Sequence, residues 1–154
     1  MIRVVEGSKS GSGLHVGIAV ASWNQGITDR LLQGAVDRLQ EMEVTEITIL
    51  RVPGALELPV AAKSLIANGC HAVIAIGTVV KGDTDHYDIV VRESTAGIAA
   101  VSLESGVPVA NAILAVHEYR QALERAGEGG ANKGAEAAEA AVLSATALRD
   151  LSGA

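Results

Sequence analysis

Apolar runs of strand character alternate with segments whose apolar residues recur at helical spacing. Residues 14–21 are apolar and rich in β-branched side chains, which predicts a first strand. A loop follows, Ser22-Trp23-Asn24-Gln25-Gly26, and then Ile27, Leu31, Ala35, Leu39 and Met42 recur at near-helical spacing. Residues 47–52 predict a second strand, broken by Pro53-Gly54. Residues 58–67 predict a helix, with Pro59 tolerated in its first turn. The apolar run 72–80 has the character of a strand buried on both faces. A polar loop over 81–85 leads into a helix over 86–103, stopped by Gly106 and Pro108. A fourth strand is predicted over 109–116 and a short helix over 118–126. Glu128-Gly129-Gly130 then forms a Gly-rich break. The last helix covers 134–151, with Ala138, Val142, Ala145 and Leu148 along one stripe.

This strict alternation predicts a single α/β domain over 1–154: a three-layer sandwich with a mostly parallel, flavodoxin-like four-stranded sheet. Residues 1–5 are a candidate extra edge strand at the N-terminus. Composition supports this picture. The chain is 49% hydrophobic but only 2% aromatic, with no Phe, so its core is built from Ala, Val, Ile and Leu. Small and β-branched side chains suit parallel strands closely covered by helices. The formal charge is −6 and no long basic run occurs, which argues against a nucleic-acid or acidic-membrane partner. An anionic substrate therefore needs a local cluster of Lys or Arg. The single cysteine, Cys70, excludes an intrachain disulfide and fits a reducing compartment. No signal-like N-terminus and no apolar stretch approaching the ~20 residues of a membrane span are seen, so the expected location is cytoplasmic.

Ligands of open α/β sheets bind beyond the carboxyl ends of the strands. Those positions hold Ser22, Trp23 and Asn24, then Gly54, Ala55 and Glu57, then Lys81 to His86, then His117 and Glu118. Trp23 in such a loop is a candidate platform for a planar ring. Gly82-Asp83-Thr84 precedes a helix start, so its N–H groups suit either an anion or an ordinary turn and cap. His86 is the best acid–base candidate by residue type, against the alternative of a polar residue in a surface helix. Glu57 reads either as a helix-start carboxylate or as an acceptor for hydroxyls. Arg125 and Lys133 flank the Gly-rich break, where solvated surface charges are the plainer reading. Cys70 reads as a small hydrophobe, and no His or carboxylate set has metal-ligand spacing.

Four ordered segments carry a resemblance. Ala21-Ser22-Trp23-Asn24 with Ile27-Thr28-Asp29 resembles the first strand–loop–helix of lumazine synthases. Val52-Pro53-Gly54-Ala55-Leu56-Glu57-Leu58-Pro59, AVIAIGTVVKGDTDHY (72–87) and LERAGEGGANKGAEAA (123–138) are similar to three further signatures of that family, in register from about Val5 to Leu148. The resemblance implies that Trp23 stacks on a uracil ring and that Asn24 and Glu57 hydrogen-bond a ribityl chain. It implies backbone contacts from Ala55 and Val80, a phosphate cradle of Gly82, Asp83 and Thr84, a phosphate-pairing Arg125, and proton shuttling by His86. Lys133 and Glu136 match a supporting pair, and Asn111 a residue that closes the ring pocket from an adjacent subunit.

The implied reaction condenses 5-amino-6-(D-ribitylamino)uracil with 3,4-dihydroxy-2-butanone 4-phosphate, giving 6,7-dimethyl-8-ribityllumazine, phosphate and water. The resemblance implies no metal or organic cofactor. It implies a homo-oligomer, a pentamer or a sixty-subunit capsid, with Asn111, Arg125 and Lys133 offered across an interface. The chain departs from the family pattern at Ala115-Val116, where a hydroxyl-bearing pair is common, and at Lys81, Asp85, His117, Tyr119 and the Gly-rich break. Two other readings compete: an assembly scaffold of the same descent with little activity, and a flavodoxin-like module that holds a flavin or related ring.

Overall fold

The computed structural model of the chain describes residues 1–127 and 131–153. Its strands are β1 (His15–Ala21), β2 (Glu46–Val52), β3 (Ala72–Val80) and β4 (Val109–Val116). They pair in the order β2-β1-β3-β4, all parallel. The helices are α1 (Gln25–Glu41), α2 (Leu58–Ala67), α3 (His86–Ser105), α4 (Tyr119–Glu124) and α5 (Lys133–Ser152). The chain leaves β1 toward β2 on one side and returns to β3 on the other. The loops after β1 and β3 therefore diverge, which opens a crevice at the switch point between them.

Alternation along the strands sends side chains into two cores. Val16, Ile18, Val20, Ile74, Ile76 and Leu114 face α1 and α5, meeting Ile27, Leu31, Leu39, Ala138 and Val142. Ala19, Ala21, Val73, Ala75 and Ile113 face α2 and α3, meeting Leu58, Ala62, Leu65, Val90 and Ile98. A strand between two such layers has no polar face, which is why residues 72–80 read as one apolar run.

The start of α5 lies directly on α1. A Cβ on Gly134 would collide with the Leu31 carbonyl, and one on Gly34 with the Asn132 side chain. Asn132 fills the space these glycines leave and is only 5% exposed. Its amide donates to the carbonyls of Arg30 and Gly127, both at 3.1 Å, and its Oδ1 accepts the Ala135 N–H at 3.0 Å as the cap of α5. This one side chain fastens the α4–α5 corner to α1.

The expected strands and helices are present, with local shifts at their ends. Helix α1 starts at Gln25, because Asn24 takes a left-handed conformation (φ 61°, ψ 43°) and its carbonyl receives the N–H groups of Ile27 and Thr28. A 3₁₀ turn, Ala55–Glu57, precedes α2. Helix α4 is shorter than expected, and α5 begins one residue earlier than residue 134. The Gly-rich break at residues 128–130 lies outside the described residues. Residues 1–5 correct an expectation: they add no strand to this sheet. Arg3 instead donates to the Asp150 carbonyl of α5 at 3.4 Å, and the residues that follow run along the same helix. The Ser8 N–H donates to Thr146 Oγ1 at 2.8 Å, the Thr146 hydroxyl donates back to the Ser8 carbonyl at 3.2 Å, and Gly7 packs on the backbone of Leu143. No helix among the described residues is long and apolar enough to cross a membrane.

Candidate functional site

The loop after β1 is tied to both neighbouring strand ends. The Ser22 N–H donates to the Val52 carbonyl at 2.7 Å and the Trp23 N–H to the Pro53 carbonyl at 2.9 Å, beyond β2. On the other side, the Asn24 side-chain amide donates to the Thr78 carbonyl of β3 at 2.9 Å. These bonds fix the backbone of Trp23, a residue 66% exposed. An indole held open at a strand end costs apolar exposure and offers a stacking face.

The next polar group comes from the 3₁₀ turn. Glu57 is half-buried, and its Oε1 accepts the Gly54 N–H at 3.0 Å. Its Oε2 makes no hydrogen bond among the described residues, so one carboxylate oxygen is fixed and the other is available as an acceptor. Ala55 is buried beside it, and Leu58 packs beneath against Gly77 of β3.

Strand β3 ends at the half-buried Val80, and the Lys81 N–H donates to the Val116 carbonyl at 2.9 Å. Beyond this bond residues 81–86 are exposed. The N–H groups of Gly82, Asp83 and Thr84 have no hydrogen-bond partner among the described residues, and they lead into the 20-residue helix α3. Free N–H groups before a helix start favour an anion. Thr84 Oγ1 lies 3.4 Å from the His86 N–H, and His86 opens α3 exposed to solvent. The His117 ring meets Tyr87 edge-on at 6.1 Å.

The structure thus brings Trp23, Asn24, Ala55, Glu57 and Val80 to the carboxyl edge of the sheet, with Gly82, Asp83 and Thr84 on the loop that continues from it and His86 at the start of α3. It does not bring Asn111, Arg125 or Lys133 there by any hydrogen bond or ion pair among the described residues. Asn111 lies within β4 opposite Ala75, exposed, its Oδ1 accepting the Ile113 N–H at 2.8 Å. Arg125 ends α4, where its guanidinium donates to the Gln121 carbonyl at 2.9 Å and lies 3.8 Å from Glu124. Lys133 pairs with Glu136 at 3.0 Å. The Lys133 N–H donates to the Arg125 carbonyl at 2.9 Å, so these two cations share one corner. A concavity of about 820 Å³ lies between α1 and that corner, lined by Arg30, Asp37, Arg38 and Asn132.

Cys70 lies at the opposite end of the sheet, 4% exposed. Burial first, and then the charge of Glu46, push its thiol above the usual range, in keeping with a small hydrophobe. Two residues that matter to the site's frame were not singled out from the sequence. Thr78 contributes only a carbonyl, which no pattern shows. Asn132 did carry a signal: an Asn directly before an Ala-rich helix is a typical cap.

Fold and edge together define an α/β protein with a candidate small-molecule site at the carboxyl end of a doubly wound parallel sheet. A family model described as 6,7-dimethyl-8-ribityllumazine synthase matches residues 13–149. The 6,7-dimethyl-8-ribityllumazine synthase of Thermococcus kodakarensis is 42% identical over 97% of this chain and 96% of its own length. Those of Nitratidesulfovibrio vulgaris and Thermococcus gammatolerans are each 41% identical over 97% of this chain, covering 98% and 97% of their lengths. The chain belongs to the 6,7-dimethyl-8-ribityllumazine synthase family.

Proposed function

We infer that this chain is a transferase of riboflavin biosynthesis. It condenses 5-amino-6-(D-ribitylamino)uracil with 3,4-dihydroxy-2-butanone 4-phosphate to 6,7-dimethyl-8-ribityllumazine, releasing phosphate and water. The observation that carries this reading is the family match over residues 13–149, which spans the whole sheet edge holding Trp23, Glu57 and His86.

At that edge Trp23 takes the uracil ring on its open face. Asn24 and the free oxygen of Glu57 meet the ribityl hydroxyls, and Ala55 and Val80 present backbone groups to the same substrate. The N–H groups of Gly82, Asp83 and Thr84 receive the phosphate, whose charge Arg125 balances through its fork of donors. The 5-amino group attacks the ketone and an imine forms with loss of water. Phosphate departs, and ring closure releases a second water. Each dehydration moves protons between nitrogen and oxygen, and His86 carries them; its position at the start of α3, directly after residues 82–85, supports that role. Holding two reactive molecules in register supplies much of the acceleration, roughly 7–11 kcal/mol in favourable cases.

The working form is a homopentamer in the cytoplasm, each subunit one domain over 1–154. Two features support a shared site: Trp23 and His86 stand exposed, and Asn111, Arg125 and Lys133 make no bond to their edge among the described residues. In a ring, these three reach the neighbour's edge. Sedimentation distinguishes a pentamer from a sixty-subunit shell. Mixing refolded His86→Ala and Arg125→Ala subunits tests the sharing. Recovery toward about a quarter of full activity is expected from random ring closure, and no recovery contradicts a site built from two subunits.

A further inference from the structure

Gly54 is a glycine for a reason its own backbone does not supply. Its conformation is extended (φ −137°, ψ −178°), which any residue adopts. It is buried, yet what covers it includes the ring of Trp23, itself 66% exposed. A Cβ on Gly54 would lie 2.5 Å from Cε3 and 2.7 Å from Cζ3 of that ring, and an ordinary 3.5 Å from Glu57 Oε1. The close conflict is therefore with the indole alone. The Trp23 backbone has no freedom to yield, because its N–H is bonded to the Pro53 carbonyl, the residue before Gly54. A side chain at position 54 must instead turn the indole away.

We propose that Gly54 is a positioning residue for the uracil substrate: by lacking a side chain it lets the Cε3–Cζ3 edge of the Trp23 ring lie against the chain after β2, which sets the direction in which the indole meets a planar heteroaromatic ligand. The same peptide N–H holds Glu57 Oε1 at 3.0 Å, so one residue sets both the stacking ring and the carboxylate beside it. The inference rests on the reading of Trp23 as the uracil platform.

Trp23 is the sole tryptophan, so emission excited selectively at tryptophan, beyond the absorbance of Tyr87 and Tyr119, reports on this ring alone. In Gly54→Ala the emission shifts to the red and acrylamide quenching increases. KM for the ribitylaminouracil rises about three- to tenfold, the scale of one lost aromatic stack. KM for the butanone phosphate and kcat stay within about twofold, since neither depends on the stack. In a Trp23→Ala background, Gly54→Ala has no further effect on KM. Unchanged fluorescence and KM in Gly54→Ala, or an equal rise in KM without the indole, overturns the proposal. Should Gly54→Ala fail to fold, the double variant Gly54→Ala/Trp23→Ala is expected to fold, and its failure also overturns it. The underlying reading fails separately, if Trp23→Ala alone leaves the ribitylaminouracil KM unchanged.

Discussion

Replacing Asn132 by Ala removes three hydrogen bonds at a site only 5% exposed. The lost cap of α5 costs about 1 kcal/mol. The two carbonyls that received its amide lose bonds worth about 1 kcal/mol each. The expected destabilisation is about 3 kcal/mol, which lowers Tm by roughly 6–12 °C for a domain of this length. Asn132→Ser separates the contributions, because a hydroxyl caps the helix but does not span to both Arg30 and Gly127; its expected loss is about 2 kcal/mol. Urea unfolding followed by circular dichroism, at one fixed protein concentration because association adds to stability, measures both. The activity of Asn132→Ala falls further than its folded fraction, since Arg125 and Lys133 sit on the corner that Asn132 fastens. A loss below about 1 kcal/mol for Ala, or a Ser variant no better than Ala, refutes the reasoning.

Thr28 and Thr78 carry buried hydroxyls with no partner among the described residues. Thr28→Val and Thr78→Val are each expected to raise stability by about 1 kcal/mol in thermal melts; an equal loss would reveal a bonding partner. The folded protein holds the Cys70 proton more tightly than the unfolded chain does. That contribution is complete at neutral pH and is lost as pH rises above the ordinary thiol value of about 8.5. Stability measured from pH 7 to 10 therefore declines less steeply in Cys70→Ala, and identical slopes would contradict the raised thiol pKa. Arg125→Ala is expected to raise KM for the butanone phosphate about 10- to 100-fold, the worth of a charge-assisted bond to phosphate. KM for the ribitylaminouracil changes little, and Arg125→Lys recovers part of the loss; equal effects on both substrates would remove Arg125 from the phosphate.

The fold was legible where a single physical cause writes the sequence. Strands β3 and β4 and helix α2 match their expected limits, because burial on both faces and a Pro-bearing first turn leave plain marks. The start of α1 was not legible from apolar spacing. Gln25 and Gly26 are polar or bare, and the helix begins at a left-handed Asn that no periodicity shows. The N-terminal segment misled for a related reason. Ile2 and Val4 alternate like a strand, but alternation says nothing about a partner, and contacts with Thr146 and Leu143 carry the segment along α5 instead.

The site divides in the same way. Trp23, Glu57 and His86 stood out because their residue types are unusual at strand ends in a chain of small apolar residues. The bonds that aim Trp23 and Glu57 run from backbone carbonyls and N–H groups of Thr78, Pro53 and Gly54, which look alike in every sequence. Arg125 and Lys133 show in the sequence only as charges flanking a Gly-rich break, and their roles, like that of Asn111, come from family resemblance; among the described residues no hydrogen bond or ion pair joins the three to the rest.

The most direct test of the account is to mix purified protein with both substrates and follow the absorbance of the lumazine product against an uncatalysed control. The account predicts formation far above the control, one phosphate released per lumazine, and collapse of the rate in His86→Ala and Arg125→Ala. Formation no faster than the control, from protein that still assembles, would contradict it.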